Sequence, residues 1–179
     1  MTAEPTVGER HVVLIGMMGS GKTTAGRRLA QILGRRLVDS DELVEARTGR
    51  TVREIFEAEG EPAFRVLETA ALVEALATAE PLVIAAAGGV LMLRENRDAL
   101  IASGAHVIWL RADPAELARR AVTGQHRPLL DGDPEAAMRR LLPEREPQYL
   151  EVADDVVDTD DRTPDEVVDV VAALVGVRR

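Results

Sequence analysis

The stretch Gly16-Met17-Met18-Gly19-Ser20-Gly21-Lys22-Thr23 reads G-x-x-x-x-G-K-T. It lies between an apolar run, His11-Val12-Val13-Leu14-Ile15, and a helical pattern that opens Ala25-Gly26-Arg27-Arg28-Leu29-Ala30. A buried strand that turns through glycines straight into a helix leaves few folds open to the rest of the chain. Glycine permits the tight backbone that aims successive N–H groups at one point. The helix behind adds the positive end of its dipole, so a polyanion is held by backbone donors and by the Lys22 ammonium. Thr23 supplies the hydroxyl that such loops offer to Mg²⁺. This junction predicts a nucleoside triphosphate site.

The remainder alternates in the same manner. Lys22 to Leu33 is predicted as a helix ending near Gly34, followed by a short strand from Arg36 to Asp39. A helix from about Glu42 to Arg47 stops at Gly49. Thr51-Val52-Arg53-Glu54 is a capping box for a helix that Gly60 ends, and Pro62 opens another running from Ala63 to Ala77. Leu82 to Ala86 reads as a buried strand leading into Gly88-Gly89. A helix over Arg94 to Ala102, a strand over Ala105 to Leu110 and a helix start at Asp113-Pro114-Ala115-Glu116 follow. Pro134 to Asp154 is predicted as a helix that Pro143 and Pro147 bend or interrupt. Asp155 to Asp158 is a short strand, and Thr163-Pro164-Asp165-Glu166 caps a terminal helix.

Alternating strands and helices predict an α/β fold, a doubly wound parallel sheet with helices on both faces. Ligands of such sheets sit beyond the carboxyl ends of the strands. The loops that start at Gly16, Asp39, Ala87 and Asp113 should therefore share one edge. Residues 1–10 read as a flexible tail and 11–179 as a single domain, with the polar, glycine-bearing stretch of about 123–133 as a mobile lid.

Charge and composition narrow the function. The net charge of −9 argues against nucleic acid and anionic membrane as partners. An anionic substrate would then need arginines placed locally. The absence of cysteine excludes disulfides and thiolate metal sites. The aromatics are Phe56, Phe64, Trp109 and Tyr149, so the core must be built from Val, Leu, Ile and Ala. No apolar stretch approaches membrane length, and Met1 to Arg10 lacks a signal core. The expectation is a soluble, cytoplasmic monomer.

The chain lacks the N-K-x-D by which GTPases read guanine, which favours a small-molecule phosphotransferase. Asp39-Ser40-Asp41 follows the second strand. One carboxylate there can orient an acceptor hydroxyl and take its proton, and another can hold Mg²⁺ directly or through water. Equally, Asp41 could do no more than cap a helix. Arg65 and Glu68, three apart on one helix, could form a plain surface ion pair. Gly88-Gly89, Arg127-Pro128-Leu129-Leu130 and Arg145 also have bland readings when each is taken alone.

Their order carries more. G-M-M-G-S-G-K-T, D-S-D, T-G-R-T-V-R-E-I-F, the F-R-x-x-E of Phe64 to Glu68, Gly88-Gly89, R-P-L-L and the E-R-E-P-Q-Y around Arg145 together resemble the shikimate kinase family, over nearly the whole chain after the tail. The resemblance implies a P-loop kinase fold of the nucleoside-monophosphate-kinase type, with an acceptor region at about 40–80. It implies phosphorylation of the 3-hydroxyl of shikimate by ATP with Mg²⁺, in aromatic amino-acid biosynthesis. Gly19, Ser20, Gly21, Lys22, Thr23 and Thr24 would then hold ATP. Thr23 would bind Mg²⁺, as would Asp39 through water. Asp41 would bind substrate hydroxyls and act as the base, and Arg65, Arg145 and the backbone of Gly88 would bind shikimate. Arg127 would close over ATP from the lid and Arg162 would lie near the adenine.

Elementary chemistry agrees with that assignment. Two arginines can grip a carboxylate with directional, charge-assisted bonds, and Phe56 and Phe64 can wall a ring. The chain departs from the family at Ala87, where the first of three glycines is usual, and at Val90-Leu91, where a small residue and valine are usual. Two other readings stay open: a related kinase for another hydroxy acid or cyclitol, and a nucleotide-binding regulatory protein without catalysis.

Overall fold

Every side chain of β1 (Val12–Ile15) is buried, and the strand occupies the centre of a five-stranded sheet. The computed structural model describes residues 10–121 and 132–177. Residues 1–9 of the expected tail (1–10), and most of the expected lid with Arg127, lie outside the described residues. With β2 (Leu37–Asp39), β3 (Val83–Ala85), β4 (His106–Arg111) and β5 (Asp155–Asp158), the order is β2-β3-β1-β4-β5 and every pair is parallel.

Side-chain alternation along the strands divides the core in two. Val12 and Leu14, with Val83, Ile108 and Leu110, pack against α1 (Lys22–Leu33) and α7 (Pro164–Leu174). Val13 and Ile15, with Ile84, Val107 and Trp109, face α3 (Val52–Leu76), α4 (Arg94–Ala102), α5 (Pro114–Ala121) and α6 (Pro134–Val152). A smaller cluster of Val44, Ile55, Phe64 and Ala71 joins α2 (Ser40–Thr48) to α3.

Three elements differ from the sequence reading. The helix expected from about Glu42 begins at Ser40, with Asp39 as its cap: Asp39 Oδ1 accepts from the N–H groups of Asp41 and Glu42. Asp41 is therefore not the cap. The helices expected on either side of Gly60 meet as one long element with a kink, where Gly60 takes φ 80° and ψ 173°. Finally, α6 runs through Pro143 and Pro147 without interruption. Both prolines are exposed and lie one turn apart. The carbonyls that lose a donor thus sit on the wet side of the helix, where water replaces the missing bonds.

Candidate active site

Gly16, Gly19 and Gly21 take φ values of 139°, 80° and 91°, in the region that favours glycine. Close approach adds a second demand at two of them. A Cβ on Gly16 would stand 2.5 Å from Leu110 O, and one on Gly19 would collide with Leu117 O of α5. Lys22 Nζ folds back over the loop and donates to Gly16 O at 2.9 Å and Met17 O at 2.8 Å.

The loop floors a cavity of 660 Å³ lined by Gly19 to Ala25, by Glu116, Arg119 and Arg120 of α5, and by Thr159 to Pro164. That volume suits a nucleotide. Arg162 lies in the lining, and its Nη1 donates to Asp158 O. Arg119 and Arg120 were not anticipated. Arg120 is held by Thr159 Oγ1 at 2.9 Å and Thr159 O at 2.8 Å. Hydrogen bonds from Arg119, then from Arg120, bring the Glu116 carboxyl down to about 2. The Arg-Arg pair just after the α5 capping sequence was the available signal.

Thr23 Oγ1 donates to Asp39 Oδ2 at 2.6 Å. Asp39 thus caps α2 with one oxygen and meets the phosphate loop with the other. A hydroxyl and a carboxylate oxygen meet at this junction, donors of the kind a hard divalent cation takes.

Asp41, Arg65, Gly88 and Arg145 come together in a second, smaller cavity of 50 Å³, which Met18, Val52, Phe56, Phe64, Glu68, Ala87 and Gly89 complete. Phe56 and Phe64 form one wall, their ring centroids 4.9 Å apart. Arg65 Cζ lies 5.9 Å from the Phe64 centroid, and its guanidinium pairs with Glu61 at 2.5 Å and with Glu68. Arg145 is buried, with Nη1 3.9 Å from Met17 Sδ. Arg145 of α6 therefore touches the phosphate loop.

Glu68 corrects the surface-pair reading, because it is only 1% exposed. Burial pushes its carboxyl up to about 7 against the pull of Arg65, and nearby Asp41 adds to the rise. Tyr149 was also missed. Its Oη donates to Gly88 O at 2.5 Å, and burial raises the phenol to about 12, so it remains a donor. It follows Arg145 by four residues and so shares its helix face, a spacing visible in the sequence. Ala87 fits without strain: no described non-glycine residue has positive φ, and its N–H donates to Ser40 Oγ at 2.8 Å.

Residues 18–175 match the family described as shikimate kinase. A shikimate kinase of Bordetella pertussis is 49% identical over 149 residues, covering 83% of this chain and 70% of that protein. One of Salinispora tropica is 45% identical over 162 residues, covering 90% and 95%. The solved shikimate kinase from Acinetobacter baumannii in complex with shikimate superposes with a TM-score of 0.88 at 37% identity, over 93% of this chain and 92% of that one. A gluconokinase from Sinorhizobium meliloti, 22% identical with a TM-score of 0.56, shares the fold alone. By sequence and by architecture, this chain belongs to the shikimate kinase family.

Proposed function

We propose that the chain transfers the γ-phosphoryl group of ATP to the 3-hydroxyl of shikimate, giving shikimate 3-phosphate and ADP. The observation that carries this reading is the shared lining of one pocket by Asp41, Arg65, Gly88 and Arg145, directly beside Met18 of the phosphate loop. A carboxylate and two guanidinium groups in one lining complement a ring that carries hydroxyls and a single carboxylate.

In this scheme Gly19 to Thr24 hold the phosphates through backbone N–H groups, Lys22 and hydroxyls. Arg162 and the α5 arginines border the remaining length of the nucleotide. Thr23 and Asp39 are the residues that would hold Mg²⁺, Asp39 through water. Bound there, the ion would offset negative charge on the phosphate oxygens. Asp41 orients the acceptor hydroxyl and takes its proton as the new O–P bond forms and the bond to the ADP oxygen breaks. Arg65, Arg145 and the Gly88 N–H fix the carboxylate end. Arg127, which lies outside the described residues, would reach the transferring group from a lid over about 123–133.

The reading extends to a monomer of one domain acting in the cytoplasm. Among the described residues, no helix is long and apolar enough to cross a membrane. A coupled ADP-release assay with shikimate, quinate, gluconate and a cyclitol panel tests the assignment. Release that saturates at low shikimate concentration is expected. Preference for another polyol would move the chain to a related acceptor, and slow release indifferent to every acceptor would end the kinase reading.

A further inference from the structure

The turn after β3, which carries Gly88, is gripped from behind by the first turn of α4. Asn96 is buried, and its Nδ2 donates to Val90 O at 2.8 Å and to Thr69 Oγ1 of α3 at 3.0 Å. Arg97 Nη1 donates to Leu91 O at 2.8 Å and to Met92 O at 3.3 Å. Its Nε lies 2.8 Å from Glu151 Oε2 of α6. Two adjacent side chains thus tie one turn to both helices that carry the pocket arginines. At the front of the same turn, Tyr149 of α6 holds Gly88 O.

The pocket has an unusual assembly problem. Arg65 comes from α3, Arg145 from α6 and Gly88 from the turn between strand and helix, and all must converge on one small acid. A misplacement of about 1 Å in such a set damages binding geometry far more than it damages the fold. Bulk alone does not account for the buried amide. Asn96 Oδ1 accepts no hydrogen bond from a described residue, so the amide contributes chiefly its two donations.

We propose that Asn96 and Arg97 are positioning residues for the acceptor: they fix the Gly88–Met92 turn between α3 and α6, so that the turn, whose Gly89 lies hard against the Arg65 guanidinium and whose Gly88 lies beside Arg145, holds both arginines at the spacing one carboxylate needs. This inference rests on the assignment of the pocket to the acceptor.

Steady-state kinetics on Arg97→Met, Arg97→Lys and Glu151→Gln, with ATP and acceptor varied separately, test it. Arg97→Met keeps the apolar stem and loses the donors. Its acceptor KM should rise about tenfold while kcat and the KM for ATP stay within about twofold. Arg97→Lys, which still offers a charged donor to a carbonyl and to Glu151, should return the acceptor KM to within about threefold of wild type. A general loosening of the fold would lower Tm and raise both KM values together. That result overturns the inference, as does an unchanged acceptor KM in an active Arg97→Met enzyme. Should Arg97→Met fail to fold, Glu151→Gln decides: its side chain is 45% exposed and its loss leaves the core intact. An acceptor KM about threefold higher supports the inference, and an unchanged one overturns it. A wild-type enzyme that releases no ADP with any acceptor removes the proposed function, and this inference with it.

Discussion

The Arg65 guanidinium rests on Gly89 so closely that a Cβ there would collide with Nη1, Nη2 and Cζ together. Backbone conformation does not require glycine at this position, since its φ is −106°. Space does. Gly88 is less crowded: an added Cβ there would meet Gly16 O at 3.2 Å and Arg145 Nη1 at 3.4 Å. Arg65 is thus seated on bare backbone, while Arg145 lies beside the same turn at ordinary contact distance.

Gly89→Ala should therefore act on the acceptor alone. The methyl group must displace the far end of a flexible side chain, so the fold survives while the guanidinium shifts. Losing a charge-assisted hydrogen bond costs roughly 1.5–3 kcal/mol, which predicts an acceptor KM at least about tenfold higher with the KM for ATP unchanged. Steady-state kinetics with each substrate varied in turn would check this, and an unaltered acceptor KM would remove Arg65 from the carboxylate site.

Asp41→Asn should bind ATP as the wild type does and lose turnover by about 10²- to 10⁴-fold, the usual worth of a positioned base. Fluorescent-nucleotide titration and single-turnover kinetics separate the two effects. Near-normal turnover would place the proton acceptor elsewhere.

Thr23→Ala should raise the Mg²⁺ concentration needed for half-maximal rate, because the hydroxyl that contacts Asp39 at 2.6 Å is lost from the proposed metal site. Chelation should abolish turnover in both proteins. A metal titration that superposes on the wild type would dissociate Thr23 from the ion.

Glu68 should make acceptor binding depend on pH. Its carboxyl titrates at about 7 in the folded protein, against 4.5 ordinarily. Between those values the folded chain keeps a proton that the unfolded chain has released. The stability this group contributes is thus fully present below about pH 4.5 and is lost as pH rises through about 7. On the proposed assignment of the pocket, the ionised carboxylate would compete with an anionic acceptor for Arg65. Acceptor KM should therefore climb as pH passes about 7 while the KM for ATP does not, and Glu68→Gln should flatten both that climb and the loss of Tm. A wild-type acceptor KM indifferent to pH would exclude Glu68 from this control.

The phosphate loop, the five strands and both capping boxes were legible because each depends on neighbours in sequence. Thr51 with Glu54, and Thr163 with Glu166, form reciprocal caps wherever the rest of the chain goes. Asp41, Arg65 and Arg145 could be grouped only through the resemblance, since spacing alone does not bring three distant segments into one cleft. What stayed hidden depended on which face of a helix meets solvent. Pro143 and Pro147 looked like breaks until their exposure showed that the freed carbonyls reach water. Glu68 looked like half of a surface pair because nothing local announces that α3 turns that face toward Gly88, Gly89 and Arg145.

In the proposed cycle, the two carbonyl partners of the Lys22 ammonium bear on product release. Phosphate oxygens reaching this ammonium would trade places with Gly16 O and Met17 O, so the gain would be a difference between two sets of contacts, smaller than an isolated ion pair suggests. When ADP departs, the carbonyls can take the charge back at once. The loop thereby carries its own stand-in for the product, and the cycle closes without stranding a cation.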